Sequence, residues 1–280
     1  MSTIDLVISY YKEDLQWLND YKHIPFRMIY IYNKGDQPIT LEIPHVEIKL
    51  PNIGRCDHTY LYHIIQNYDK LAKVTIFTTG SANMLHKKAQ LDFTIKKAVE
   101  TNTTVMFGAP YTNGLDDMYT FQLDTWTSSS QKNRDSDPSK TQLEPAPLRP
   151  FGKWYTTYFP NHPIRFVTFG GVFGIDRDHI HSHTIKYYKE LISQFPNHSN
   201  PEVGHYFERA WVSIFDPIPS KCLYDRLKQS ITYGILLYLC ILLLITVLLL
   251  TKTNPLKGIY RLIQSIQSIQ SLRFPRLFSF

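Results

Sequence analysis

Chemistry in this sequence sits in a few short runs rather than in one long motif. Asn52-Ile53-Gly54-Arg55, followed by Cys56-Asp57-His58, sets a glycine, an arginine and a helix start in succession. A glycine lets the backbone approach a ligand, a guanidinium grips phosphate through paired donors, and a helix N-terminus adds a favourable dipole. That combination suits a diphosphate; it also suits a strand-to-helix loop whose arginine pairs with a neighbouring acid. Asp176-Arg177-Asp178 spells two carboxylates that could hold Mg²⁺ or Mn²⁺ against phosphates, and Asp116-Asp117 is a second such pair. Short acidic pairs are equally common on surfaces and helix caps. Glu208 lies in the run His205 to Trp211, HYFERAW, whose aromatics would partly bury its carboxylate. Burial raises a carboxylate pKa and prepares a general base. A structural pair with Arg209 along the helix accounts for the same residues.

Other patterns carry less. His58 and His63 are five apart and fall on different helical faces, while His179, His181 and His183 alternate in a segment that reads as a helix start. Neither spacing gathers ligands for zinc. The sequence has no GxSxG, no GxxxxGK[ST] and no GxGxxG, which argues against hydrolase, nucleoside-triphosphatase and dinucleotide-dehydrogenase chemistry.

The elements that must position these residues alternate. Apolar, β-branched runs at 5–10, 26–33, 45–50, 74–79, 104–111 and 164–175 predict strands. Helical spacing of apolar residues predicts helices at 13–21, 58–71 with Asp57 as its N-cap, 86–101, 179–195 and 204–215. The fold expected is therefore α/β, a mainly parallel central sheet flanked by helices over 1–225. Ligands of such sheets bind beyond the carboxyl ends of the strands. Asn33-Lys34-Gly35, residues 52–55, Thr79-Gly80-Ser81 and whatever follows Ile175 should meet there. Residues 127–150 are polar, proline-bearing and aperiodic, and predict a disordered insert.

The chain has 280 residues, 43% hydrophobic and 19% charged, with net charge +6. Those values describe a globular chain. No basic stripe interleaved with aromatics appears, so nucleic acid is not an expected partner. Residues 231–250 run without a charge for about twenty residues, the length of a membrane-crossing helix. The expectation is one C-terminal transmembrane helix, a membrane-lipid partner, and single-pass attachment. Residues 251–280 then form a basic tail with apolar positions at helical spacing, suited to lie on a lipid surface. Among three cysteines only Cys56 belongs to the body of the domain, which fits a reducing compartment. The first residues lack the pattern of a signal peptide, so the main domain is expected in the cytosol.

Several runs in order carry a resemblance: IYNKG (31–35), LPNIGRCDHTYLYHI (50–64), VTIFTTG (74–80), FGGVFGIDRDHI (169–180) and HYFERAW (205–211). Together they resemble the domain-of-unknown-function family 3431, found in fungi and large DNA viruses. Where that family prefers an acid after Gly-Arg this chain has Cys56, and where it prefers Gln-Gly it has Thr79-Gly80. A looser similarity is to GT-A-type glycosyltransferases, which implies a nucleotide-sugar donor. It implies Glu208 as the base taking the acceptor proton, with Asn52 and Arg55 facing the donor diphosphate. On the same analogy Trp154 stacks on sugar; Gly54, His58, Gly80, Gly170, Gly171 and Arg177 join these as candidate binding residues, and Asp176 and Asp178 stay the candidate metal ligands read from their spacing. The acidic pair such enzymes carry after the fourth strand is replaced here by Thr79, Gly80 and Ser81. The rival expectation is a non-catalytic membrane protein whose α/β domain binds a partner.

Overall fold

The computed structural model describes residues 3–111, 118–126, 142–226 and 238–246. Three strands come first, β1 (Ile4–Tyr10), β2 (Met28–Asn33) and β3 (Val46–Lys49), followed by helix α1 (Arg55–Asn67). Next are β4 (Val74–Thr79), α2 (Leu85–Thr101), β5 (Met106–Pro110), α3 (Phe151–Tyr158), β6 (Phe166–Thr168) and β7 (Phe173–Asp176). Helices α4 (Arg177–His181), α5 (Ile185–Ile192) and α6 (Glu202–Ile214) and strand β8 (Leu223–Asp225) end the unit.

The larger sheet has the order β3-β2-β1-β4-β7, parallel from β3 through β4. A parallel sheet needs cover on both faces, which is why β1 and β4 are buried at every position. Alternate residues serve opposite faces. Val7, Tyr32 and Phe77 meet Tyr60, Leu61 and Ile64 of α1 and Phe207 and Trp211 of α6. Leu6, Ile8, Ile31 and Ile76 meet Leu91, Ile95 and Ala98 of α2. The chain leaves β1 toward β2 on one side and returns at β4 on the other. The carboxyl ends of β1 and β4 therefore flank the switch point, where open sheets form their crevice.

The sequence expectations need correcting in several places. The single strand expected over 164–175 is two short strands in different sheets. Gly170 and Gly171, with φ of +80° and +66°, break it between them. β6 pairs antiparallel with β5 in a second sheet ordered β6-β5-β8, while β7 runs antiparallel to β4 at the edge of the first. The membrane-spanning helix is overturned: among the described residues no helix is long and apolar enough to cross a membrane. Of the stretch 231–250, residues 238–246 are helical with exposed side chains, and the remainder lies outside the described residues, as does the tail at 251–280. Within the expected insert, residues 127–141 lie outside the described residues, but 142–150 are built into the fold. Glu144 bridges to Pro201 and Ala146 N donates to the buried Glu202 at 2.9 Å.

Candidate functional site

The residues gathered at the carboxyl edge of the large sheet start with Gly54 and Arg55. Gly54 caps α1 at φ +62°, and a Cβ there would lie 2.6 Å from both His58 Cβ and Phe195 Cδ1, so only glycine fits. Arg55 follows at φ +53°, a left-handed conformation that costs a non-glycine residue about 1–3 kcal/mol. Its surroundings hold it there. Lys34 Nζ, from the end of β2, donates to the carbonyls of Ile53 and Arg55, and Gly54 N donates to His198 O at 2.9 Å. The guanidinium lies 3.9 Å from the ring centre of Trp126, and Nη1 donates to Asn200 Oδ1 at 3.2 Å. No carboxylate pairs with Arg55 among the described residues.

Behind Arg55 the first two turns of α1 carry Cys56, Asp57 and Tyr60. Gly54, not Asp57, caps the helix. Asp57 is buried against α6, where Oδ1 accepts from Trp211 Nε1 at 2.9 Å. Burial first, then the charge of Glu208, pushes its carboxyl up to about 7. Burial likewise pushes the Cys56 thiol above its ordinary range, with the charge of Asp57 adding to it, so this is no activated nucleophile. Tyr60 donates to Gly171 O at 2.6 Å, and a Cβ on Gly171 would lie 3.0 Å from Cys56 Sγ. The Gly-Gly turn is thus pressed onto the start of α1.

Glu208 reaches the same turn from α6. Its Oε1 accepts from Gly170 N–H, and Thr168 Oγ1 donates to its backbone carbonyl at 3.2 Å. The other oxygen, Oε2, lies 4.0 Å from His205 Nδ1. Burial, then the charges of Arg55 and Arg209, drives His205 down to about 2, so it is neutral and the contact is not an ion pair. Glu208 keeps 24% side-chain exposure, enough for a ligand to touch it. Arg209 turns away, stacking 3.6 Å from the ring centre of Phe121 and donating to His205 O at 2.9 Å.

Two more pieces complete the edge. Gly80, after β4, receives Trp17 Nε1 on its carbonyl at 2.9 Å, and a Cβ on it would lie 2.7 Å from Glu13 Oε2. The loops after β1 and β4 touch there. Lys87, in the first turn of α2, extends back so that Nζ donates to Thr79 Oγ1 at 3.2 Å and Ser81 Oγ at 2.9 Å. Burial lowers its pKa, while the thiol of Cys56 and the charge of Glu208 oppose that shift. Lys87 also has no carboxylate partner among the described residues. Sequence reasoning passed over it, although a lysine in a helical first turn that holds no acid runs against the helix dipole.

The structure brings together Gly54, Arg55, Gly80, Gly170, Gly171 and Glu208 from the expected set. Asn52 is half-buried in the loop ahead of Gly54. His58 packs between Tyr62 and Phe195; burial pushes it down to about 4 and its Nδ1 has no partner among the described residues. Two expectations do not hold in space. Because β7 is antiparallel, Asp176, Arg177 and Asp178 fall at the opposite end of the sheet, Asp176 beside Val74. Asp176 caps α4 by accepting from Asp178 N at 2.8 Å, and Lys73 Nζ bonds Asp176 at 2.9 Å and Asp178 at 2.8 Å. These carboxylates share the Lys73 ammonium and lie away from Arg55 and Glu208, so they do not place a divalent ion beside those residues. Among the described residues no cluster of His, Cys, Asp or Glu could hold a metal. Trp154 is 2% exposed and packed against Tyr206 and Phe207, with Nε1 donating to Gln194 Oε1 at 2.6 Å, so it is core rather than a sugar platform. Asp116-Asp117 lies outside the described residues.

No curated protein matches this chain. The model of the family described as "Protein of unknown function (DUF3431)" matches residues 6–229, about four-fifths of the sequence, and the chain accordingly belongs to that family.

Proposed function

We propose that this domain transfers a sugar from a nucleotide donor to an acceptor hydroxyl, with Glu208 as general base. The observation that carries the reading is a carboxylate anchored on one side and open on the other, beside Arg55 and Lys87, which form no ion pair among the described residues. Gly170 N–H fixes Oε1 of Glu208, which leaves Oε2 for a proton. Arg55 offers its fork to the donor diphosphate, and Gly170, whose Cβ position lies 3.1 Å from Gln90 Oε1 and 3.8 Å from Lys87 Cγ, sets its backbone beside α2. The switch point between β1 and β4 supplies the crevice for the nucleotide.

In the reaction the acceptor oxygen attacks the anomeric carbon while its proton passes to Glu208 Oε2. The bond from that carbon to the diphosphate oxygen breaks, and its electron pair leaves with the diphosphate, whose charge Arg55 offsets. One displacement inverts the configuration at that carbon. The test is a panel of nucleotide sugars offered to the full chain, with binding followed by thermal shift and turnover by release of nucleoside diphosphate. Glu208→Gln should reduce turnover by about 10²-fold or more while donor binding persists. Unchanged turnover would remove Glu208 from the reaction, and a chain that binds donor but never turns it over would be a binding module instead.

A further inference from the structure

We infer that Lys87, in place of a divalent cation, supplies the second positive charge that holds the donor diphosphate at this site. The inference rests on the transferase reading above and narrows it to metal-free donor binding. Its first ground is position. The carboxyl end of β4 reads Thr79-Gly80-Ser81, two hydroxyls and no carboxylate, and the Lys87 ammonium sits between those hydroxyls at 3.2 and 2.9 Å. Hydroxyl oxygens orient an ammonium without neutralising it, so the charge stays available to an anion.

Its second ground is that Lys87 forms no ion pair among the described residues. Lys87 projects from the N-terminal turn of α2, where the helix dipole is already positive and the turn itself holds no acid; Glu208 and Glu13 act on it through space without pairing with it. Arg55, likewise unpaired with a carboxylate among the described residues, acts on the same groups: both cations oppose the shift that burial imposes on Cys56. Two half-buried cations with no ion pair among the described residues are held at a cost that a bound anion relieves. A diphosphate brings two such charges at once. Gly170 lies alongside, its Cβ position 3.8 Å from Lys87 Cγ, so a donor held there has its sugar beside Glu208.

Its third ground is that free carboxylate oxygens are scarce here. Asp57 accepts from Trp211, Glu13 Oε2 accepts from the N–H groups of Tyr11 and Lys12, and Glu208 Oε1 accepts from Gly170, which leaves Glu208 Oε2. The Asp176–Asp178 pair is bound to Lys73 at the far end of the sheet. A hard divalent ion needs several oxygen ligands, and beside Lys87 and Arg55 it would meet like charge.

The experiment uses the full chain and titration calorimetry with UDP, GDP and inorganic pyrophosphate, in excess EDTA and again with Mg²⁺ or Mn²⁺. Binding is expected in EDTA, within about twofold of the affinity with metal. Lys87→Gln should weaken it by about tenfold or more, the scale of one charge-assisted hydrogen bond. Lys87→Arg should retain most of the affinity. Binding that EDTA abolishes and Mn²⁺ restores would overturn the inference and leave the transferase reading standing. Undiminished binding by Lys87→Gln would overturn it as well. Should that variant fail to fold by circular dichroism, the comparison with and without EDTA decides alone. If no probe binds under either condition, the inference and the transferase reading fall together.

Discussion

Asp57 has an acid-base consequence of its own. Its ordinary pKa is 3.8, and in the folded protein it is pushed up to about 7. Between those values the folded chain keeps a proton that the unfolded chain has released, so this residue makes stability fall as pH rises from about 4 to 7. The slope is at most about 1.4 kcal/mol per pH unit. Asp57→Asn keeps an acceptor for Trp211 Nε1 and removes the titration. Urea denaturation of both proteins across that range should show the wild type losing stability relative to the variant as pH rises. A difference that stays flat with pH would show that Asp57 is not held protonated. At this scale the sequence was only partly readable. Arg55 and Glu208 stood out because a guanidinium after glycine and a carboxylate among aromatics are unusual. Lys87 and Trp126 did not, since what matters about them is the company they keep across the fold, with Thr79 eight residues away and Arg55 seventy-one. Trp154 misled for a related reason, because an aromatic cluster reads alike whether it packs a core or faces a sugar.

Elements fared better where one periodicity governed them. β4 falls on its expected boundaries, and α2 starts one residue early, because a fully buried strand and a two-faced helix each declare themselves locally. Residues 164–175 failed because an apolar run does not say where two glycines with positive φ will turn it from one sheet into another. That turn also reverses β7 and so decides which end of the sheet receives Asp176. As a helix cap tied to Lys73, Asp176 belongs to stability rather than to ligand binding. Asp176→Ala should cost about 1–2 kcal/mol through loss of the cap, measured by thermal melting. Affinity for nucleoside diphosphate should stay within about twofold of wild type, since the change lies at the opposite end of β7. A selective loss of affinity without loss of stability would return this pair to the binding site.

At the scale of the whole molecule, β8 closes the second sheet beside β5, and residues up to Asp225 form one compact unit. A chain ended after Asp225 should therefore melt in a single cooperative transition within a few degrees of the full chain. Ended instead after Phe215, it would lose β8 and expose one side of β5, and its midpoint should drop. Equal midpoints for the two truncations would show that β8 adds nothing. The hydrogen bonds that finish the candidate site are long ones. Trp211 reaches Asp57 across 154 residues and Arg55 reaches Asn200 across 145, whereas β1, β2 and β4 lie within the first eighty residues. On a ribosome the parallel sheet can pair while the second half of the chain is still being made, and Glu208 and Trp211 arrive late. A product ended before Asn200 would carry the parallel sheet, Arg55 and Lys87, yet lack Asn200, which holds the guanidinium, and the Glu208 carboxylate. On the transferase reading proposed above, turnover would therefore also report that translation ran past Trp211.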